Sequence, residues 1–370
     1  MTNSKKIRVG VQQRVLPIYR VPLFDALAEA FCGNLSVFAG EPRQNEALAG
    51  RVAPRVAKMR KGKNYHLLGD AFYMCLQVGL MEWLEDWQPH VLILEANPRY
   101  LRSRAAVRWM HGRGRQVIGW GLGSPDVGGW LNGLRLSARK RLVNSFDALI
   151  TYSSKGAREY TSLGFHSDRI FVAPNAVTPR PAHPMPKRPS SYRANQPIVV
   201  FVGRLQERKR VDTLIRACAA LPANIQPLLW IVGAGPSRNA LEDLASSMYP
   251  HTRFFGAQHG SQLEKHLCLA DLFVMPGTGG LAVQEAMSFG LPVIVGIADG
   301  TQEDLVRNEN GWQLKGDSFE ELRSTMEKAL KDVAVLRRKG KASYRIVSEE
   351  INLEKMVSVF RQAIMKVMEV

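Results

Sequence analysis

Residues 276–292 read PGTGGLAVQEAMSFGLP. The stretch opens on a glycine turn (Gly277, Thr278, Gly279, Gly280), runs on as a helix from Leu281 to Met287, and closes at Gly290 and Pro292. Just upstream, ADLFVM (270–275) has the composition of a short buried strand. Strand, glycine turn and helix N-terminus in that order leave backbone N–H groups unpaired at the positive end of the helix dipole, which suits a phosphate. Glu285 follows about one turn into the helix, where a carboxylate accepts hydrogen bonds from a sugar or ribose hydroxyl. A glycine turn alone only reverses a chain. The glutamate and the flanking pattern make it a ligand site.

Three further loops upstream follow strands in the same way. After Ile198–Val202 comes GRLQERK, which puts Arg204 and Lys209 at the edge of the sheet. Two cations so spaced in a loop entering a helix can clamp a diphosphate, the arginine through two nitrogens; the bland alternative is an ordinary surface pair. After Leu228–Val232 comes GAGP, with Gly233 and Gly235 allowing a tight turn and Pro236 suiting a first helical turn. That is half of a dinucleotide fingerprint and reads first as structural. After Arg253–Phe255 come Gly256, Ala257, Gln258 and His259, a loop placed to line a base pocket, with His259 an ordinary loop histidine.

Apolar runs alternate with helical patterns along most of the chain, which predicts βα units and parallel sheets. In the first half the expected strands are Ile7–Val11, Leu35–Phe38, His90–Leu94, Gln116–Trp120, Ala148–Tyr152 and Ile170–Val172. Helices are expected at Pro22–Phe31, Asp70–Trp83, Arg102–His111 and Gly129–Ser145. In the second half further strands are expected at Asp271–Met275 and Pro292–Val295. The proline-rich stretch from 176 to 196 reads as a linker. The organisation predicted is a first Rossmann-like domain over 1–175, that linker, a second over 197–345, and a C-terminal helix over 346–370 crossing back to the first. A fold of two such domains facing across a cleft places the ligand at the carboxyl ends of the strands.

At 370 residues the chain is long enough for two ordinary domains. No apolar run approaches the ~18 residues of a membrane-spanning helix. The start, MTNSKKIRVGV, has no long apolar leader. Cys32, Cys75, Cys218 and Cys268 are scattered without metal-ligand spacing, which predicts a cytoplasmic protein. The formal net charge of +17 is the anomaly. It favours anionic lipid, nucleic acid or phosphorylated ligands, and nucleic acid is set aside because no recognised motif accompanies it. Lys58, Arg60, Lys61 and Lys63, then the arginines from Arg99 to Arg115, then Arg135–Arg141 are interleaved with Tyr65, Trp109, Trp130 and Leu134. Helical spacing of that kind reads as a membrane-surface element, the alternative being a solvated basic face.

Taken together, FVGRLQERKRVDTLIRA, LLWIVGAGPSRNALE, RFFGAQHGSQLEKHLCLADLFVMPG, GLAVQEAMSFGLPVI and DGTQEDLVRNENGWQL resemble the C-terminal half of retaining glycosyltransferases of family four (group 1), whose architecture is called GT-B. The likeness is close over 145–315 and looser elsewhere. It implies an α/β fold of two Rossmann-like domains. It also implies that Arg204 and Lys209 act on the diphosphate of a nucleotide-sugar donor and that Glu285 binds the ribose. Thr278, Gly279, Gly280 and Leu281 would meet phosphate or sugar, and Gly233 and Gly256 would border the nucleotide.

The implied reaction is a hexosyl transfer with retention of configuration to a glycan or lipid-linked acceptor, in bacterial surface polysaccharide or glycolipid synthesis. The leaving phosphate itself would take the acceptor's proton. No Asp-x-Asp pair occurs in the sequence, so neither a metal nor any other cofactor is expected beyond the donor. The enzyme would sit peripherally on the inner face of an anionic membrane. Two positions depart from the pattern. Gly277 stands where the family often has a glutamate eight residues before the one at Glu285, and Leu122 stands where a histidine is often found; Arg14, Gln13 and Glu95 are the candidates to substitute. The alternative reading is therefore a catalytically silent GT-B protein that binds a partner or a nucleotide sugar. A sugar-nucleotide epimerase fits less well, and a nicotinamide enzyme is disfavoured for want of a full GxGxxG after either first strand.

Overall fold

Short β-branched runs flanked by glycine make buried parallel strands, and the chain forms two sheets of them. The structure, a computed structural model, describes residues 7–43, 46, 53–69, 72–124, 132–176, 178–279, 281–297 and 301–369. Two units divide it: Met1–Val177 with Leu353–Val370, and Thr178–Asn352.

In the first unit seven strands form a parallel sheet: β1 (Val9–Val15), β2 (Leu35–Gly40), β3 (Lys58–Lys61), β6 (Val91–Glu95), β7 (Gln116–Gly121), β8 (Ala148–Thr151) and β9 (Ile170–Val172). Their spatial order is β3-β2-β1-β6-β7-β8-β9, and the order reverses between β1 and β6. β4 (Lys63–Leu67) and β5 (Met74–Val78) instead pair with each other as an antiparallel hairpin. The helix expected over Asp70–Trp83 is thus corrected to a strand, β5, and a shorter helix, Leu80–Trp87. Gly79, at φ 94°, separates the two, and Met74–Val78 alternates outward and inward with the period of a strand. The basic cluster Lys58, Arg60, Lys61 and Lys63 also lies on strands, β3 and β4, and not on a helix. Trp130 lies outside the described residues. The helix Leu353–Met368 packs against the helix Val21–Ala30, and its Phe360 meets Trp120 edge-on at 4.9 Å between ring centres.

In the second unit the strands are β10 (Ile198–Val202), β11 (Leu228–Val232), β12 (Thr252–Gly256), β13 (Leu272–Met275), β14 (Val293–Val295) and β15 (Gly311–Gln313). They are parallel, in the order β12-β11-β10-β13-β14-β15, the arrangement of a dinucleotide-binding fold with its switch point between β10 and β13. The proline-rich stretch belongs to this unit from Thr178 onward. Its anchor is Arg188, which donates to the carbonyls of Leu267 (2.8 Å), Ala270 (2.9 Å), Phe289 (2.7 Å) and Gly290 (3.2 Å). Burial, aided by the nearby Arg337, lowers the Arg188 guanidinium to about 10. At the other end the helix Val333–Glu349 runs through residue 346, and the first unit resumes at Leu353.

Candidate functional site

The loops that leave β10, β11 and β12 are stitched together by backbone bonds. The Gly203 amide donates to Val232 (3.0 Å), Leu205 to Ala234 (2.9 Å) and Gly233 to Gly256 (2.7 Å). A Cβ at Gly233 would stand 2.9 Å from the Gly203 carbonyl carbon and closer still to its oxygen, so the loops meet only because residue 233 has no side chain. Gly233 and Gly256 (φ 72°) therefore build the rim of the sheet's carboxyl edge. This gives the half-fingerprint GAGP the structural role it suggested.

Across the switch point the loop after β10 grips the loop after β13. Lys209 is only 7% exposed, and its ammonium donates to the Thr278 carbonyl. Arg208 Nη1 donates to Thr278 Oγ1 (2.8 Å), and the Thr278 amide donates to the Arg208 carbonyl (3.2 Å). A Cβ at Gly279 would lie 2.8 Å from the Lys209 nitrogen, so this cation stands directly on the glycine turn. Burial, reinforced by Arg208, lowers the ammonium to about 8. No carboxylate pairs with it among the described residues. Gly277 is pressed against the same segment: a Cβ there would overlap the Arg208 carbonyl and stand 2.7 Å from Lys209 Cα.

Arg204 is exposed and makes no hydrogen bond or ion pair among the described residues. Gly280 lies outside the described residues, and Leu281 begins the helix Leu281–Ser288 half-buried. Glu285 is also half-buried; burial raises its carboxyl above the usual range, His259 opposes that, and Glu264 adds to it. His259 thus lies within electrostatic reach of Glu285, which its loop position alone did not suggest. Sequence reasoning missed Arg208 and Gln302. Gln302 is buried, donates to the Gly279 carbonyl, and leaves its own carbonyl oxygen without a partner among the described residues. Its signal was the DGTQEDL run, a polar residue in the first turn of the short helix Thr301–Leu305.

In the first unit the positions considered for the missing histidine gather at the ends of β1 and β6. The Arg14 amide donates to Glu95 Oε2 (2.7 Å), and the Glu95 amide donates to Gln12 Oε1 (3.1 Å). Burial pushes the Glu95 carboxyl up to about 6, against the pull of the Arg14 amide and Arg20. Gln13 is buried and turns its amide to the Gln12 carbonyl (3.1 Å). Leu122 is exposed. Arg20 stacks over Trp120 at 4.4 Å and donates to the Tyr152 hydroxyl (2.7 Å).

The whole of this loop system falls within residues 187–345, which match the model of the family described as glycosyl transferases group 1. Residues 187–345 are similar to group 1 glycosyl transferases. Relatives outside it agree. The chain is 31% identical over 187 residues to the GDP-mannose-dependent alpha-(1-6)-phosphatidylinositol monomannoside mannosyltransferase of Mycobacterium tuberculosis, covering 47% of each chain. It is 33% identical over 127 residues to the sulfoquinovosyl transferase SQD2 of Arabidopsis thaliana, covering 34% of this chain and 24% of the relative. The match thus spans about half the length of the mycobacterial relative or less. Solved structures share the fold of this chain across its length. The lipopolysaccharide outer core galactosyltransferase WaaB superposes with a TM-score of 0.71 at 14% identity, over 97% of this chain and 99% of that one. Anabaena HepE in complex with UDP gives 0.71 at 16% identity, over 97% and 100%. The fold is α/β with two Rossmann-like units, of the GT-B class. No helix among the described residues is long and apolar enough to cross a membrane.

Proposed function

We propose that the protein is a metal-independent glycosyltransferase that moves a hexose from a nucleotide-sugar donor to a glycan or lipid-linked acceptor with retention. It would work peripherally on the cytoplasmic face of an anionic membrane, in surface polysaccharide or glycolipid synthesis. The observation that carries the reading is the buried Lys209 ammonium, held on the Thr278–Gly279 turn with no carboxylate beside it among the described residues. A buried cation without a counter-ion is costly, and a diphosphate supplies one. Arg204, exposed and without a partner among the described residues, can close on the same group.

In this reading Arg204 and Lys209 take the charge that develops on the leaving diphosphate, so no metal is needed. Glu285 accepts from the ribose hydroxyls, while Gly233 and Gly256 let the nucleotide approach the backbone. Retention and the proton's passage to the leaving phosphate rest on the family resemblance. The relatives that act on phosphatidylinositol mannosides favour a glycolipid acceptor.

The test is thermal stability against UDP, GDP and ADP and their sugars, followed by donor hydrolysis. Ligand binding to the folded state raises the melting temperature. A rise confined to one base, with slow nucleotide release from its sugar, supports the transferase. A rise without release points to the silent, sugar-nucleotide-binding reading, which Gly277 favours. No rise with any of them removes the proposal.

A further inference from the structure

The β4–β5 hairpin is built inside out. Its strands pair Lys63 with Val78, Asn64 with Gln77, Tyr65 with Leu76, His66 with Cys75 and Leu67 with Met74. Strand residues alternate sides, so one face carries Asn64, His66, Cys75 and Gln77, and that face is turned inward. The amide of Asn64 donates to the carbonyls of Arg14 (2.8 Å) and Glu41 (2.9 Å). The amide of Gln77 donates to the Gln13 carbonyl (3.1 Å) and to Asn64 Oδ1 (3.0 Å), and Gln12 donates to Gln77 Oε1. At the base, a Cβ on Gly62 would come within 2.8 Å of the Phe38 ring edge, so the chain pivots there tightly over the ring.

Those bonds fix the register, and the register sends the apolar residues outward, since a slip of one position would bury them and expose the amides. Tyr65, Leu67, Met74 and Val78 stand exposed along the strands; next to them Leu68 is 71% and Phe72 53% exposed. Beside this face the run KMRKGK places Lys58, Arg60, Lys61 and Lys63, all exposed, with Lys63 lying 4.9 Å over the Tyr65 ring. Of these, Arg60 pairs with Asp86 at 3.6 Å and Lys58 lies over the Trp87 ring, so Lys61 and Lys63 carry the charge with no carboxylate partner among the described residues.

We propose that this hairpin face is a docking surface for an anionic phospholipid bilayer, with the apolar side chains entering the interface and the lysines at the level of the phosphates. The inference deepens the membrane part of the proposed function. Charge selects the occupant. A second copy of the chain would bring the same four cations against themselves, and protein interfaces are poor in lysine. A bilayer surface takes aromatic and aliphatic side chains together with flanking basic ones.

The test is co-sedimentation with vesicles of phosphatidylcholine alone and of phosphatidylcholine containing phosphatidylglycerol. The wild-type chain is expected to bind the mixed vesicles well and the neutral ones weakly. Leu68→Ser with Phe72→Ser lowers the binding roughly tenfold. Lys61→Glu or Lys63→Glu removes the preference for the anionic vesicles, at roughly fivefold for each lost cation. Met248→Ser, at an apolar residue 44% exposed in the second unit, leaves binding unchanged. Melting curves matching the wild type show that the variants are folded. The proposal is overturned if the wild type binds neither vesicle, if the hairpin variants bind as it does, or if the wild type self-associates and the double variant does not. None of these readings involves turnover, so the transferase proposal can fail while this one stands, and the reverse.

Discussion

Gly277 lies against the Arg208 carbonyl so closely that a Cβ there would overlap it. The position where the family resemblance implies a glutamate is, in this chain, backbone packed on backbone. Lys209 and Arg208 then fasten the neighbouring Thr278 by its carbonyl and its hydroxyl. The absent side chain is thus part of a different local packing, in which the two loops at the switch point touch directly.

Gly277→Glu should consequently fail to create a working carboxylate. The new side chain forces the two loops apart, at a cost of about 1–3 kcal/mol as for other overpacked sites. A lowered melting temperature together with weaker nucleotide binding is the expected result. A variant as stable as the wild type, with higher activity, would show that the loops part easily.

The Lys209 ammonium makes nucleotide affinity depend on pH. Its value falls from an ordinary 10.5 to about 8, and a diphosphate needs the charged form, so affinity weakens as pH rises through about 8. The stability of the free protein moves the other way. Between about 8 and 10.5 the unfolded chain holds a proton that the folded chain has released, so stability rises with pH across that window. Titration calorimetry from pH 7 to 9 on the wild type and Lys209→Met checks the first point, since the variant should bind weakly with no such slope.

Arg204→Ala should separate binding from folding. The side chain is exposed and engages nothing in the described structure, so the melting temperature of the free protein stays put. Loss of a charge-assisted contact to the diphosphate weakens donor binding by about 1.5–3 kcal/mol, or roughly ten- to hundredfold. Equilibrium binding of the preferred nucleotide measures it directly.

Glu285→Gln tests the ribose contact. Burial raises the carboxyl of the wild type, so its nucleotide affinity should begin to fall on acidification at a higher pH than an ordinary carboxylate would dictate. The glutamine variant binds about tenfold more weakly at neutral pH, in line with one charged hydrogen bond, and loses that acid limb. Affinities at pH 5 and pH 7 decide it.

Arg188→Met removes a guanidinium that serves four carbonyls of the second unit. Leaving such groups buried without partners costs about 3 kcal/mol or more. A lower melting temperature is expected, with nucleotide affinity intact in the protein that remains folded.

Much of the second unit could be read directly from the sequence, because most strands there are apolar runs and Gly203, Gly233, Gly256 and Gly277 mark loops at the sheet's carboxyl edge. Ile198–Val202 and Leu228–Val232 fall where the pattern put them. β15 was missed: Gly311–Gln313 is three residues long and half polar to the eye. In the first unit the hairpin defeated the reading. DAFYMCLQVGLMEW has apolar residues at helical as well as alternate spacing, and only the amide bonds of Gln77 and Asn64 to β1 choose between them. Of the site, Lys209 and Glu285 were legible as residue types in telling places. Arg208 and Gln302 were not, since their partners, the Thr278 hydroxyl and the Gly279 carbonyl, lie on a loop about seventy and twenty residues away.

The first unit is written in two pieces, Met1–Val177 and Leu353–Val370, with all of the second unit spliced between them. A ribosome therefore delivers seven parallel strands long before it delivers the helix that carries Phe360 to Trp120. During that interval Trp120 has Phe24, Tyr152 and Arg20 around it but lacks the edge of Phe360. Of the two, the unit that starts first is the one that finishes last.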